Sequence, residues 1–297
     1  MTFQIVKKRK IFFILSSLLV LASIIAFLLW QIKLGVDFAG GSLLEIEVKE
    51  IVKEEEIKQV FDNLNLGKIE IVNKGSNDYL IRFANVDEDT HQKIVSELKK
   101  KFSDLEEKKF ENISPSISSA LKNKAILAGI LSLIGIVIYL TIAFRKVSRP
   151  VSSWKYGLIA ILTLFHDVII AFGFYVVWSH FFGGEFNSVC LIALLTIMGY
   201  SVNDTIVVFD RTRENLRKKL GQAPFEEIVN QSLNETISRS INTSLTTSFP
   251  LLALLFFGPN SLFDFSLIIL VGILVGTYSS ICLASPLLTL VKKEKKK

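Results

Sequence analysis

Cysteine is scarce in this chain, with 2 among 297 residues, Cys190 and Cys282. Both sit inside apolar runs, which argues against a structural disulfide and against a disulfide-stapled secreted scaffold. Histidine is nearly as rare, and the 3 present, His91, His166 and His180, are scattered. The chain has no Cys/His metal spacing, no His-Glu-x-x-His, and no glycine-rich phosphate loop ending in Lys and Ser/Thr. No catalytic, cofactor or metal site can be named, and nothing points to an enzyme. Charged residues make up only 21% against 50% hydrophobic, which excludes disorder and collagen.

What the chain does have is apolar residues in blocks of about 20, the length a bilayer core demands. The first block, 11–30, carries no charge and follows Lys7-Lys8-Arg9-Lys10. A cleaved signal peptide is the rival reading, with an apolar core of about 7–15 residues and a small-residue cleavage site. This block is longer and ends in Leu28-Leu29-Trp30-Gln31, so an uncleaved span is favoured. Further spans are expected at 125–144, 156–178, 187–209, 235–257 and 262–291. The fifth has a short run, 242–257, that is polar in its first half. The sixth is longer than a span needs, so it tilts or its ends leave the core. Pro250 and Pro286 are expected to bend their helices, and Gly272 with Gly276 offers a small-residue face to a helix of this chain or another.

Six spans put both ends on one side. Lys and Arg cluster in 1–10, at Arg145, Lys146, Arg149 and Lys155, in 210–234 at Arg211, Arg213, Arg217, Lys218 and Lys219, and in 292–297. The short opposite loops have none, so the positive-inside rule makes 1–10, the loop 210–234 and the tail 292–297 cytoplasmic. Within that loop, 225–233 reads as an amphipathic helix lying on the membrane face. Because topology explains the basic residues, nucleic-acid binding is not implied. The net charge of +6 also divides: 31–120 holds 13 Lys/Arg and 18 Asp/Glu, and the remainder 21 and 10.

Residues 31–120 form one domain, outside the cytoplasm by the same topology. Leu43–Lys49 alternates as a strand, and Glu54–Leu64 has helical spacing. Lys68–Val72 and Tyr79–Phe83 read as a hairpin around Asn73-Lys74-Gly75-Ser76-Asn77-Asp78. Asp87–Phe102 reads as a helix capped by Asp87, and Leu105–Ile113 as a last strand. The expected fold is an α-helical polytopic membrane protein with six transmembrane helices plus one small ferredoxin-like β-α-β-β-α-β domain. Gly35-Val36-Asp37-Phe38-Ala39-Gly40-Gly41, taken alone, is a flexible turn joining span one to that domain.

Ionisable residues within spans are costly and mark function. Asp167, beside His166, falls near the middle of span three. Asp204 lies about two-thirds of the way along span four, and Arg239 opens span five ahead of Asn242, Thr243, Ser244, Thr246, Thr247 and Ser248. One reading is a proton path, in which a desolvated carboxylate binds and releases a proton and an arginine switches it. The other is a fixed buried ion pair of Asp204 and Arg239, with the hydroxyl stripe joining helices. Chemistry alone leaves the two level. His166 reads more simply as a hydrogen-bonded packing residue.

Further motifs narrow this. Phe165-His166-Asp167-Val168, Glu185-Phe186-Asn187, the stretch from Gly199-Tyr200-Ser201-Val202-Asn203-Asp204-Thr205 to Asn215, and Ser232 to Ser244 follow Gly35–Gly41 in order on six spans. Together they resemble the SecD/SecF family of bacterial protein-export membrane proteins, in the resistance-nodulation-division superfamily. The resemblance implies an accessory subunit of the Sec protein translocase in the bacterial cytoplasmic membrane. Its partners would be SecD, the SecYEG channel, the SecA motor and an unfolded translocating polypeptide, with the proton-motive force as drive and no cofactor. The family's functional aspartate and arginine match Asp204 and Arg239. Asn203 and Thr205 flank the aspartate, Asp167 is secondary, and Gly35, Asp37, Gly40 and Gly41 form the hinge motif. Half of a proton-coupled small-molecule efflux transporter and a translocon-stabilising scaffold without proton coupling remain as alternatives.

Overall fold

The computed structural model describes residues 3–49, 52–64, 66–73, 75, 77–144, 151–219 and 222–291. The basic residues Arg145, Lys146 and Arg149, the tail 292–297, and Lys74 and Ser76 of the expected turn lie outside the described residues. In chain order the elements are α1 (Arg9–Trp30), α2 (Val36–Ala39), β1 (Gly41–Glu47), α3 (Glu54–Asn63), β2 (Glu70–Asn73), β3 (Asp78–Phe83), α4 (Glu88–Lys101) and β4 (Glu106–Ile113). Then follow α5 (Pro115–Phe144), α6 (Ser153–Phe182), α7 (Ser188–Lys219), α8 (Phe225–Phe257), α9 (Phe263–Ser279) and α10 (Ser285–Leu290).

Two compact units result. One comprises Met1–Gln31, Ala128–Val177 and Val189–Lys297; the other comprises Ile32–Leu127 and Trp178–Ser188.

The first unit is helical. Among the described residues six helical stretches are long and apolar enough to cross a membrane: those of α1, α5, α6, α7 and α8, and the run from Asn260 to Leu290. Helix α1 leaves Ile11, Ile14, Leu18, Leu21, Leu28 and Leu29 exposed, an apolar surface suited to lipid. It buries the small residues Ser16, Ser23 and Ala26 instead. There a Cβ on Gly173 of α6 would come within 2.6 Å of the Ser23 Cα, so only glycine admits this approach. Likewise, a Cβ on Gly272 of α9 would strike Ile197 of α7, and one on Gly276 would lie 3.3 Å from the Ser201 Cβ. The small-residue face of α9 therefore packs on a helix of the same chain. Near the other end of the unit, Phe144, Tyr156 and Phe209 form an aromatic cluster with centroids 5.3 to 6.0 Å apart.

The segment 210–234, expected as a loop, is largely helical, because α7 runs on to Lys219 and α8 starts at Phe225. Its stretch 225–233 is the first part of α8 and not a separate helix. Phe225, Ile228, Val229 and Leu233 form one helical stripe and are buried against Phe209 and Leu216 of α7. The stripe that suggested lipid found a protein partner. Pro250 sits inside α8, which runs unbroken through it. Ahead of Pro286 the chain takes a π-helical turn at Ser280–Ala284 before α10. Pro286 offers no N–H to the preceding turn, and the Ser285 hydroxyl donates to the Ser280 carbonyl at 3.0 Å.

The second unit holds a four-stranded antiparallel sheet, order β2-β3-β1-β4, with α3 and α4 on one face. This is the ferredoxin-like arrangement. Alternation in β1 points Leu44 and Ile46 at Ile81 and Tyr79 of β3 and onto Ile57, Phe61, Ile94 and Leu98 of the helices. Each such fully buried aliphatic contributes about 1.5–3 kcal/mol. Asp87 caps α4 by accepting from the Thr90 N–H at 3.0 Å. On the opposite sheet face, Val36, Leu43 and Leu80 form a smaller core with Val72 and Ile113.

Candidate functional site

Asp204 is 2% exposed on α7. Its Oδ2 accepts one long hydrogen bond, 3.5 Å, from the Thr277 hydroxyl of α9. The Thr277 hydroxyl is itself bonded to that of Ser244 on α8, to which the Tyr200 hydroxyl donates at 3.4 Å. Tyr200 lies one turn before Asp204. A row of hydroxyls, Tyr200–Ser244–Thr277, thus ends on the carboxylate and joins three helices.

Arg239 is exposed on α8, near enough for its charge to be felt at Asp204, and among the described residues no ion pair joins the two. The fixed buried ion pair, one of the two sequence readings, is absent here. Asn203 is exposed and turned away from Asp204, since neighbours on a helix point about 100° apart. Thr205 is buried, and its hydroxyl has no hydrogen-bond partner among the described residues.

Asp167, fully buried on α6, forms a separate cluster. Its Oδ2 accepts from the Ser201 hydroxyl of α7 at 2.5 Å and the Ser279 hydroxyl of α9 at 2.7 Å. Its Oδ1 lies 2.8 Å from His166 Nδ1. The carboxylate therefore ties three helices together. His166 Nε2 is buried without a partner among the described residues. Sequence reasoning did not single out Ser201, Thr277 or Ser279. The only signal was polar residues in apolar runs, Thr277-Tyr278-Ser279-Ser280 among them, which also fits plain helix packing.

The hinge motif lies in the α/β unit and is ordered, where the sequence suggested a flexible turn. Val36–Ala39 form one helical turn, α2. Gly40 and Gly41 follow at φ 75° and 107°, in the region that favours glycine. A Cβ on Gly41 would lie 2.8 Å from the Phe83 carbonyl oxygen. The same segment grips the connection between α6 and α7. Leu34 and Phe186 form a parallel bridge, with the Gly35 N–H donating to the Phe186 carbonyl at 2.9 Å and the Phe186 N–H to the Lys33 carbonyl at 2.8 Å. Asp37 Oδ2 accepts from the Ser188 N–H, the first of α7, at 2.7 Å. The rings of Phe38 and Phe186 stack at 5.8 Å, and Arg82 of β3 pairs with Glu185.

Comparison with known proteins bears on both places. The family described as "Protein export membrane protein SecD/SecF, C-terminal" matches residues 93–294, and the "SecD/SecF GG Motif" matches residues 31–50. The "Protein translocase subunit SecF" of Thermobaculum terrenum is 38% identical, over 96% of this chain and 92% of its own length. That of Sebaldella termitidis is 37% identical over 100% and 94%. Among solved structures, SecDF of Thermus thermophilus, a translocon-associated membrane protein, superposes with a TM-score of 0.83 at 32% identity. That match covers 98% of this chain but 38% of the SecDF chain. SecDF in the super-membrane-facing form gives 0.64 at 31% identity, over 95% and 37%.

Proposed function

Because the chain belongs to the SecD/SecF family of protein export membrane proteins, we propose that it is an accessory subunit of the bacterial Sec translocase that uses the proton-motive force to promote export. The chain spans 38% of the SecDF chain it resembles, which leaves the rest of such an assembly to a SecD-type partner. The SecYEG channel, the SecA motor and an unfolded exported polypeptide complete the proposed set of partners. Both termini lie in the cytoplasm and the α/β unit outside it, as the distribution of Lys and Arg favours.

The observation that carries this reading is Asp204, a carboxylate buried in an apolar helix with, among the described residues, one long hydrogen bond and no ion pair. A structural carboxylate is fastened, as Asp167 is. Asp204 is held loosely at the end of a hydroxyl row that reaches the half-buried Tyr200. A proton arriving there neutralises the charge and removes its attraction to Arg239. When the proton leaves, the ionised carboxylate again draws that guanidinium. Alternation between the two states shifts α8 against α7. Each proton crossing supplies about 2.3 kcal/mol per 100 mV from the potential alone, a bias suited to ratcheting a chain.

The test is translocation into inverted vesicles carrying the full complex, with and without a proton gradient. Asp204→Asn keeps the size and polarity of the site but cannot lose a proton. The expected result is loss of the gradient-dependent increment. An increment equal to wild type sinks the proposal in favour of a scaffold without proton coupling.

A further inference from the structure

The α6–α7 connection is only five residues, 183–187, and the 178–188 stretch that contains it belongs to the α/β unit. Four unlike contacts hold it there. A two-bond backbone bridge joins Leu34 to Phe186. An aromatic stack joins Phe38 to Phe186. The ion pair of Arg82 and Glu185 is 16% exposed at each side chain, so water screens it little. The Asp37 carboxylate sits on the first N–H of α7, where the helix dipole favours negative charge. The fit is close, since a Cβ on Gly35 would lie 3.1 Å from the Asn187 Cβ. Along the same sheet face, a Cβ on Gly183 would touch Val72 at 3.8 Å.

We infer that Asp37 is the positioning residue that couples the α/β unit to helix α7, with the Arg82–Glu185 pair as its second point of grip. This rests on the proton-driven reading of Asp204. Helix α7 carries Asp204 about 24 Å along its axis from Ser188, at 1.5 Å per residue. A helix is stiff over that length, so an axial or rocking displacement of α7 at Asp204 reappears at Ser188. There it enters the sheet through Asp37, Phe186 and Glu185, without passing through the longer covalent path by way of α1 or α5. A flexible Gly35–Gly41 would dissipate such a displacement; the one-turn helix α2 and its contacts hand it on.

The experiment uses vesicles carrying the full complex, with translocation measured with and without a proton gradient. The variants are Asp37→Ala, Asp37→Asn, Arg82→Glu, Glu185→Arg and the Arg82→Glu/Glu185→Arg exchange, with Asp204→Asn as reference. Asp37→Ala is expected to lower the gradient-dependent increment about fivefold, the scale of losing a helix cap, and to leave gradient-independent translocation and the amount of assembled complex unchanged. Asp37→Asn, whose amide oxygen still accepts from the Ser188 N–H, is expected to restore most of the increment. Each single charge reversal is expected to lower it, and the exchange to recover it. A full increment in Asp37→Ala overturns the inference, as does an equal loss with and without the gradient, which marks a merely structural anchor. A full increment in Asp204→Asn removes the proton reading itself, and this one with it.

Discussion

The Ser279 hydroxyl of α9 donates to the Asp167 carboxylate of α6 at 2.7 Å, and both residues are fully buried. Ser201 of α7 donates to the same oxygen. Asp167→Ala would strand the Ser201 hydroxyl and the His166 Nδ1 and leave the Ser279 hydroxyl only the Gly276 carbonyl at 3.1 Å. The expected cost is about 2–3 kcal/mol, whereas Ser279→Ala, which leaves the carboxylate its other partners, costs about 1 kcal/mol. Thermal unfolding of the detergent-solubilised protein reads both. Equal effects would show that Asp167 is not the common fastening.

Gly173 marks where α1 meets α6 most closely, and the obstacle to a larger residue there is the backbone at Ser23. Gly173→Ala is expected to destabilise the protein by about 1–3 kcal/mol, as overpacking does. Gly135→Ala on α5 meets nothing within 4 Å and is expected to be neutral or slightly stabilising, through helix propensity. Unfolding midpoints of the two variants in the same detergent decide the matter.

The Lys33 ammonium donates to the Glu70 carboxylate of β2 at 2.8 Å and holds that carboxyl below its ordinary value of 4.5. A carboxyl lowered by folding contributes stability above its unfolded value, and that contribution is lost as pH falls through the folded one. The contact therefore adds stability at neutral pH and loses it only in acid below 4.5. Both side chains are about half exposed, so the shift should shrink with salt. An NMR titration of Glu70 in the intact chain is expected to show a lowered midpoint that Lys33→Met returns towards 4.5. No change on substitution would place the cause elsewhere.

The strand and helix order of the α/β unit was legible because its pattern is local. Leu44 and Ile46 alternate with Glu45 and Glu47, and Asp87 stands where a cap should. The apolar blocks were legible for the same reason. The Gly35–Gly41 segment was not, because what orders it lies far along the chain, at Glu185 to Ser188. The 225–233 stripe was recognised as amphipathic, but periodicity does not say whether protein or lipid covers an apolar face. Within the candidate site, Asp204 stood out by charge alone. Asn203 was grouped with it as a sequence neighbour, and the helical turn of about 100° per residue sends it elsewhere. Thr277 and Ser279 were hidden because a hydroxyl in an apolar helix is common, and only a facing carboxylate gives it a role.

The sheet face that carries Val36, Leu43 and Leu80 lies beside a stretch of chain drawn from between two membrane helices. The folded module and the contiguous gene segment are therefore different objects. A chimera that exchanges 32–127 with a relative while keeping its own 178–188 would bring together a carboxylate, a guanidinium and an aromatic ring that were not selected for one another. Exchanging both segments together preserves every contact of Asp37, Phe38 and Arg82 described above. The natural unit of transplantation is discontinuous, and a domain boundary drawn from sequence alone cuts through it.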